Sequence, residues 1–182
     1  MFFYYFCAAV LNFTDKSFIL WYFFKIMLKI ILLTHPREMA RANNTGQLVK
    51  QVLEDNVRVV EWHRKQPDTE LLTAIEAEKV GLVFPSDETA QEAILPLFTY
   101  EYLVIIDATW QEARKMFNQS PYLKALPKVS LVDAPKSIYP LRRNQIEGGL
   151  CTAECAALLL NHAGESAWST QLMELLMTFI ES

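Results

Sequence analysis

Tyr102-Leu103-Val104-Ile105-Ile106-Asp107-Ala108-Thr109-Trp110-Gln111-Glu112-Ala113-Arg114-Lys115 decides the architecture. Five consecutive residues without a charge predict a strand covered on both faces, because a half-exposed antiparallel strand alternates apolar with polar. The run stops at Asp107, and from Thr109 onward apolar residues recur at helical spacing. A buried strand feeding directly into an amphipathic helix is one half of a βαβ unit.

The same unit recurs on either side. Short apolar runs at 29–33, 58–62, 81–84, 102–106 and 128–132 read as strands, and amphipathic stretches at 47–54, 69–77, 88–97 and 109–118 read as helices between them. Two more helices are expected at 152–162 and 166–180, with Gly164 as the stop between them. The expected fold class is therefore α/β, a mostly parallel sheet with helices on both faces. A chain of 182 residues fits one such domain.

The first residues do not follow this pattern. Eleven of the 22 aromatic residues fall within 1–24, and residues 1–33 hold only the charges Asp15, Lys16, Lys25 and Lys29. The longest apolar run, 18–33, is broken by two lysines and falls short of the roughly 20 residues a spanning helix needs. A secretory signal needs a basic start, and none precedes Lys16. The expected division is a hydrophobic extension, 1–26, outside the domain, and a domain, 27–182, that opens with the strand after Met27, with a membrane-associated tail or a packed extra element as the alternatives for 1–26. No membrane role is expected for the domain itself.

With 17 basic against 21 acidic residues the formal charge is −4, which excludes a globally polybasic nucleic-acid binder. A polyanion would need a local patch, and one is present. Segment 110–150 holds Arg114, Lys115, Lys124, Lys128, Lys136, Arg142 and Arg143 against three acids, whereas 54–109 carries four basic and twelve acidic residues. The three cysteines, Cys7, Cys151 and Cys155, form neither a C-x-x-C pair nor an even disulfide set, so a reduced cytoplasmic compartment and no metal are expected.

In open parallel sheets ligands collect at the carboxyl ends of strands. The unusual polar residues fall there: Thr34-His35-Pro36-Arg37-Glu38 after the first strand, Asn43-Asn44-Thr45-Gly46 before a helix, Phe84-Pro85-Ser86-Asp87-Glu88 after the third strand, and Asp107-Ala108-Thr109-Trp110 after the fourth. Each taken alone is also what helix capping produces. Their convergence on one edge is what argues for a ligand site.

The order of these motifs resembles the DTW-domain family, the tRNA-uridine aminocarboxypropyltransferases. The resemblance rests on Asp107-Ala108-Thr109-Trp110 together with His35-Pro36-Arg37-Glu38, Asn44-Thr45-Gly46, Phe84-Pro85-Ser86 and Ala113-Arg114-Lys115-Met116. Ser120-Pro121, Leu126-Pro127, Ser137-x-Tyr139, Leu141-Arg142-Arg143 and Thr152-Ala153-Glu154 extend it, so that it runs from about Lys29 to Leu160. Two features depart from the family pattern: no cysteine cluster precedes His35, and Ala108 stands where glycine is usual.

The resemblance implies a SPOUT-related fold with a C-terminal knot, and S-adenosylmethionine as co-substrate. Its 3-amino-3-carboxypropyl group would move to N3 of a tRNA uridine, leaving methylthioadenosine. Such a displacement expels a neutral thioether, so positioning carries most of the catalysis. The resemblance puts Asp107, Thr109 and Trp110 at the chemistry, and because the N3 proton must leave as the nitrogen attacks, a nearby carboxylate is wanted, for which Asp107 is the candidate. It assigns the donor to Phe84, Pro85, Ser86, Asp107, Ser137, Tyr139, Arg142, Thr152 and Glu154. Transfer RNA falls to His35, Arg37, Glu38, Asn44, Thr45, Arg114, Lys115, Lys124, Lys128 and Arg143. No obligate protein partner is implied. The competing readings are a SPOUT-like RNA methyltransferase and a non-catalytic RNA-binding module. The proposed boundary predicts that residues 27–182 expressed alone are soluble and folded; an insoluble product beside a soluble full chain would place the extension inside the core.

Overall fold

The computed structural model describes residues 28–85, 100–131, 134–140 and 149–181. The strands are β1 (Lys29–Thr34), β2 (Val57–Glu61), β3 (Val80–Val83), β4 (Tyr102–Asp107) and β5 (Lys128–Val129). They form one sheet in the order β2-β1-β4-β3-β5, and every pairing is parallel. The helices are α1 (Pro36–Met39), α2 (Gly46–Leu53), α3 (Thr69–Glu76), α4 (Trp110–Gln119), α5 (Pro121–Lys124), α6 (Thr152–His162) and α7 (Ser166–Glu181). The helix expected at 88–97 and the extension at 1–26 lie outside the described residues.

Both faces of the sheet are covered, as the charge-free strands require. Alternate residues of β1 and β4 point to opposite sides. Ile30, Leu32, Leu103 and Ile105 pack with Leu48, Val49, Val52 and Leu53 of α2, the small face of α6 at Ala153, Ala156 and Ala157, and Leu172 and Leu176 of α7. Ile31, Leu33 and Val104 pack on the other side with Leu71 of α3, Ala113 and Met116 of α4, and Leu123 of α5. Alanines on α6 let that helix approach the sheet closely.

Three local outcomes differ from the sequence reading. The short helix α1 was not expected; Pro36 at its first position suits a fixed φ, and His35 Nδ1 accepts from the Arg37 amide at 3.2 Å. β2 ends at Glu61, although the Trp62 amide still donates to the Thr34 carbonyl at 2.8 Å. β5 covers only Lys128–Val129, paired with Leu82 and Val83 of β3, and residue 132 of the expected 128–132 run lies outside the described residues.

Register places the site. Thr34 stands opposite Asp107 on one side and Glu61 on the other, so the carboxyl ends of β2, β1 and β4 finish in one row. β4 is the centre of this arrangement. We predict that Leu103→Ala, at a fully buried position with both neighbouring strands in place, lowers stability by about 2–5 kcal/mol in urea unfolding. Val59→Ala on edge strand β2, 39% exposed, should cost less than about 1 kcal/mol.

Candidate functional site

Asp107 ends β4 as a carboxylate with 4% of its surface exposed. Its Oδ2 accepts from Thr34 Oγ1 at 3.1 Å and from Asn44 Nδ2 at 2.9 Å, and its Oδ1 accepts from Thr152 Oγ1 at 2.8 Å. One side chain thus joins the end of β1, the entry to α2 and the first residue of α6. The N-termini of α2 and α6 bring the positive ends of their dipoles to the same place, which favours a negative charge there.

Packing at this point is tight. Asn44 also donates from Nδ2 to the Glu38 carbonyl at 3.0 Å, and its Oδ1 accepts from the Gly46 amide at 2.6 Å. A Cβ on Gly46 would stand 2.6 Å from Asp107 Oδ2 and 2.9 Å from Asn44 Oδ1, so glycine is required for close approach rather than for backbone conformation. Thr45 Oγ1 accepts from the Ala153 amide at 3.4 Å, joining the starts of α2 and α6 a second time. Ala108 does not have a positive φ, so alanine substitutes there without backbone strain.

A second carboxylate holds the neighbouring loop. Glu154, in the first turn of α6, accepts from the Cys151 amide at 2.7 Å and Ser137 Oγ at 2.8 Å through Oε2, and from the Ile138 amide at 2.7 Å through Oε1. Tyr139 then crosses to donate from its hydroxyl to the Asn43 carbonyl at 2.9 Å. Burial pushes the Cys151 thiol up to about 11, so it is a packed apolar group and not a nucleophile at neutral pH.

Thr109 caps α4, and Glu112 answers it. Thr109 Oγ1 donates to Glu112 Oε2 at 2.7 Å, while the other carboxylate oxygen lies 3.7 Å from both His35 Nδ1 and an Arg37 guanidinium nitrogen. Burial alone would raise the Glu112 pKa, but the Thr109 hydrogen bonds and the nearby His35 and Arg41 hold it below the usual carboxylate range. Glu38 pairs with Arg41. His35 stacks on Trp62 at 6.0 Å, and Trp62 donates from Nε1 to Ser120 Oγ at 2.9 Å.

Trp110 faces the other flank. Its ring stacks on Phe84 at 6.0 Å, Phe84 on Phe117 at 4.3 Å, and Lys128 Nζ lies 5.4 Å above the Phe117 ring. Pro85 is exposed beside this ladder, and Arg114, Lys115 and Lys124 are exposed on α4 and α5. Of the residues assigned from sequence, Asp107, Asn44, Thr45 and Thr152 meet directly; Glu154, Ser137 and Tyr139 form the adjoining loop anchor; His35, Arg37 and Thr109 meet at Glu112. Ser86, Arg142 and Arg143 lie outside the described residues. Thr34, Gly46, Trp62, Glu112 and Ser120 were not singled out as site residues. Thr34 had a signal, a polar residue closing an apolar strand; the Trp62 to Ser120 bond spans 58 residues and had none.

A DTW domain model matches residues 20–182. The chain belongs to the DTW domain family. It is 30% identical over 137 residues to a protein of Drosophila melanogaster named tRNA-uridine aminocarboxypropyltransferase 2, covering 72% of this chain and 55% of that protein. Proteins of the same name from Macaca fascicularis and Mus musculus are 27% and 26% identical, over 72% and 75% of this chain and 46% and 48% of theirs. The chain therefore spans about half the length of these relatives. No solved structure matches it. Among the described residues no group of His, Cys, Asp and Glu could hold a metal ion, and no helix is long and apolar enough to cross a membrane.

In this DTW domain Asp107→Ala removes the acceptor of Thr152 and of one Asn44 amide hydrogen, while Thr34 keeps the Leu32 carbonyl at 3.4 Å, and should cost about 2 kcal/mol or more in urea unfolding. Asp107→Asn should cost less, because the two threonine hydroxyls can rotate from donor to acceptor. Gly46→Ala should destabilise through the 2.6 Å approach to Asp107, and no stability loss in that variant would contradict the packing.

Proposed function

We propose that this chain is the catalytic domain of a tRNA-uridine aminocarboxypropyltransferase. It transfers the 3-amino-3-carboxypropyl group of S-adenosylmethionine to N3 of a tRNA uridine and releases methylthioadenosine. The observation that carries this reading is the position of Asp107. The first residue of the DTW motif ties together the three other segments, at Thr34, Asn44 and Thr152, on the sheet edge where α/β proteins bind ligands. The activity for which the relatives are named supplies the reaction class. A SPOUT-like path with a C-terminal knot and a cytoplasmic location belong to the same reading.

The residues present fit the donor. Phe84 and Trp110 border the end of β3 with aromatic surface suited to a purine ring, and the positive N-terminus of α6 suits a carboxylate. S-adenosylmethionine supplies an activated carbon whose leaving group is a neutral thioether. Glu154 serves the donor indirectly: its three protein donors leave it to hold the 137–139 loop in place. Asp107 likewise acts through what it positions, fixing Thr152 and Asn44 beside the site. Arg37, Arg114, Lys115, Lys124 and Lys128 face the RNA, while His35 and Glu38 hold the shape of the segment after β1.

Incubation of the full chain with bulk tRNA and S-adenosylmethionine, followed by nucleoside mass spectrometry, should yield aminocarboxypropyluridine. Methylated uridine instead would identify a methyltransferase, and binding without product a binding module. Asp107→Asn and Thr152→Val should lower turnover in step with stability. A loss of about 10²-fold in Asp107→Asn with an unchanged melting temperature would make Asp107 the proton acceptor itself.

A further inference from the structure

The loop after β2, Trp62-His63-Arg64-Lys65-Gln66, lies in the acidic third of the sequence, yet the fold carries it to the carboxyl edge beside the site. Trp62 is its anchor. It is 7% exposed, stacks on His35 from the end of β1, and donates to Ser120 at the corner between α4 and α5. It shares one apolar cluster with Met116 of α4 and Leu123 of α5. The residues that follow Trp62 are therefore held next to that corner.

Four exposed cations flank this corner. The side chains of Arg64 and Lys65 are exposed and carry no ion pair or hydrogen bond among the described residues; those of Lys115 of α4 and Lys124 of α5 share both properties. Helical periodicity puts Lys115 on the same flank of α4 as Glu112 and Gln119, the flank that meets His35 and leads to Ser120. Acids lie nearby as well: Asp68 and Glu70 both pair with Arg58, Glu112 bonds Thr109 and lies 3.7 Å from Arg37, and Glu61 lies 3.7 Å from His63. At the opposite edge of the sheet Lys29 and Lys79 are instead paired with Glu101. Leaving four cations unpaired in one place costs repulsion, and a polyanion relieves it.

We propose that Arg64 and Lys65 form, with Lys115 and Lys124, a phosphate-binding rim that grips the tRNA backbone on the β2 side of the site. This rests on the reading of tRNA as substrate. The row of strand ends from Asp107 through Thr34 to Glu61 separates the rim from Asp107 by two strand spacings, about 10 Å. The rim thus holds nucleotides flanking the reacting one, and contributes affinity without touching the chemistry.

The test is equilibrium binding of bulk tRNA to the full chain and to the double variant Arg64→Ala, Lys65→Ala between 50 and 200 mM KCl. Both side chains are exposed and unpaired, so the variant should melt with the wild type. Each lost phosphate contact removes about 0.7–0.9 from the slope of log affinity against log salt, so the pair should remove about 1.5. KM for tRNA should rise severalfold with kcat and S-adenosylmethionine affinity unchanged, while Lys79→Ala at the opposite edge changes neither slope nor KM. A wild-type slope and affinity in the double variant would overturn the rim while leaving the substrate reading intact. A fall in S-adenosylmethionine affinity would overturn it too, by assigning the loop to the donor. Failure of the wild-type chain to bind tRNA at any salt would overturn the substrate reading, and the rim with it.

Discussion

A single buried carboxylate that accepts from three separate parts of the chain is the constraint on which the carboxyl edge depends. Asp107 cannot be left in a 4% exposed position without partners, since an unpaired buried charge costs several kcal/mol. Its partners come from β1, from the turn before α2 and from α6, residues 34, 44 and 152. The requirement to satisfy one carboxylate therefore fixes where two helices begin relative to the central strand. Gly46 follows from the same demand, because the turn that brings Asn44 within 2.9 Å of Asp107 leaves no room for a side chain at the next position but one.

The division of labour among carboxylates follows from their surroundings. Asp107 and Glu154 are buried and accept only from protein donors, which gives them fixed positions and makes the segments they hold rigid. Glu112 sits at the surface edge of the same region, holds the cap of α4 with one oxygen, and turns the other toward His35 and Arg37. Because its pKa is lowered in the fold, its stabilising contribution is present above the ordinary carboxylate value and is lost as pH falls through the lower folded value. Acid thus loosens the contacts that Glu112 makes at the start of α4 and with Arg37.

The sequence made the strands and most helices legible because burial on both faces demands uninterrupted apolar runs, and 102–106 and 29–33 are such runs. Domain limits and the helix at 88–97 fall outside the described residues. At the site, Asp107, Asn44, Thr45, Thr152 and Glu154 were legible as polar residues at strand ends and helix starts, reinforced by the family resemblance. Which donor meets which acceptor was not legible. Three dimensions add what the pattern lacks: Thr109 caps α4, while the Asp107 carboxylate accepts from the side chains of Thr34, Asn44 and Thr152. Trp62 was read as the last residue of a strand, and only its bonds to partners distant in sequence show it as the pin of a corner.

Charge shows the same limit in a different form. A window along the chain averages neighbours in sequence, and by that measure 54–109 is strongly acidic. The fold sorts those charges by which end of a strand they flank. Parallel strands send every carboxyl end to one edge and every amino end to the other, so a loop following β2 must join the loops following β1 and β4. Arg64 and Lys65 consequently reach the edge that the basic segment with Lys115 and Lys124 also borders, while Lys79 and Lys29, at amino ends, pair with Glu101. Parallel topology thus adds Arg64 and Lys65, from an acidic stretch, to the basic segment 110–150 that the sequence already shows.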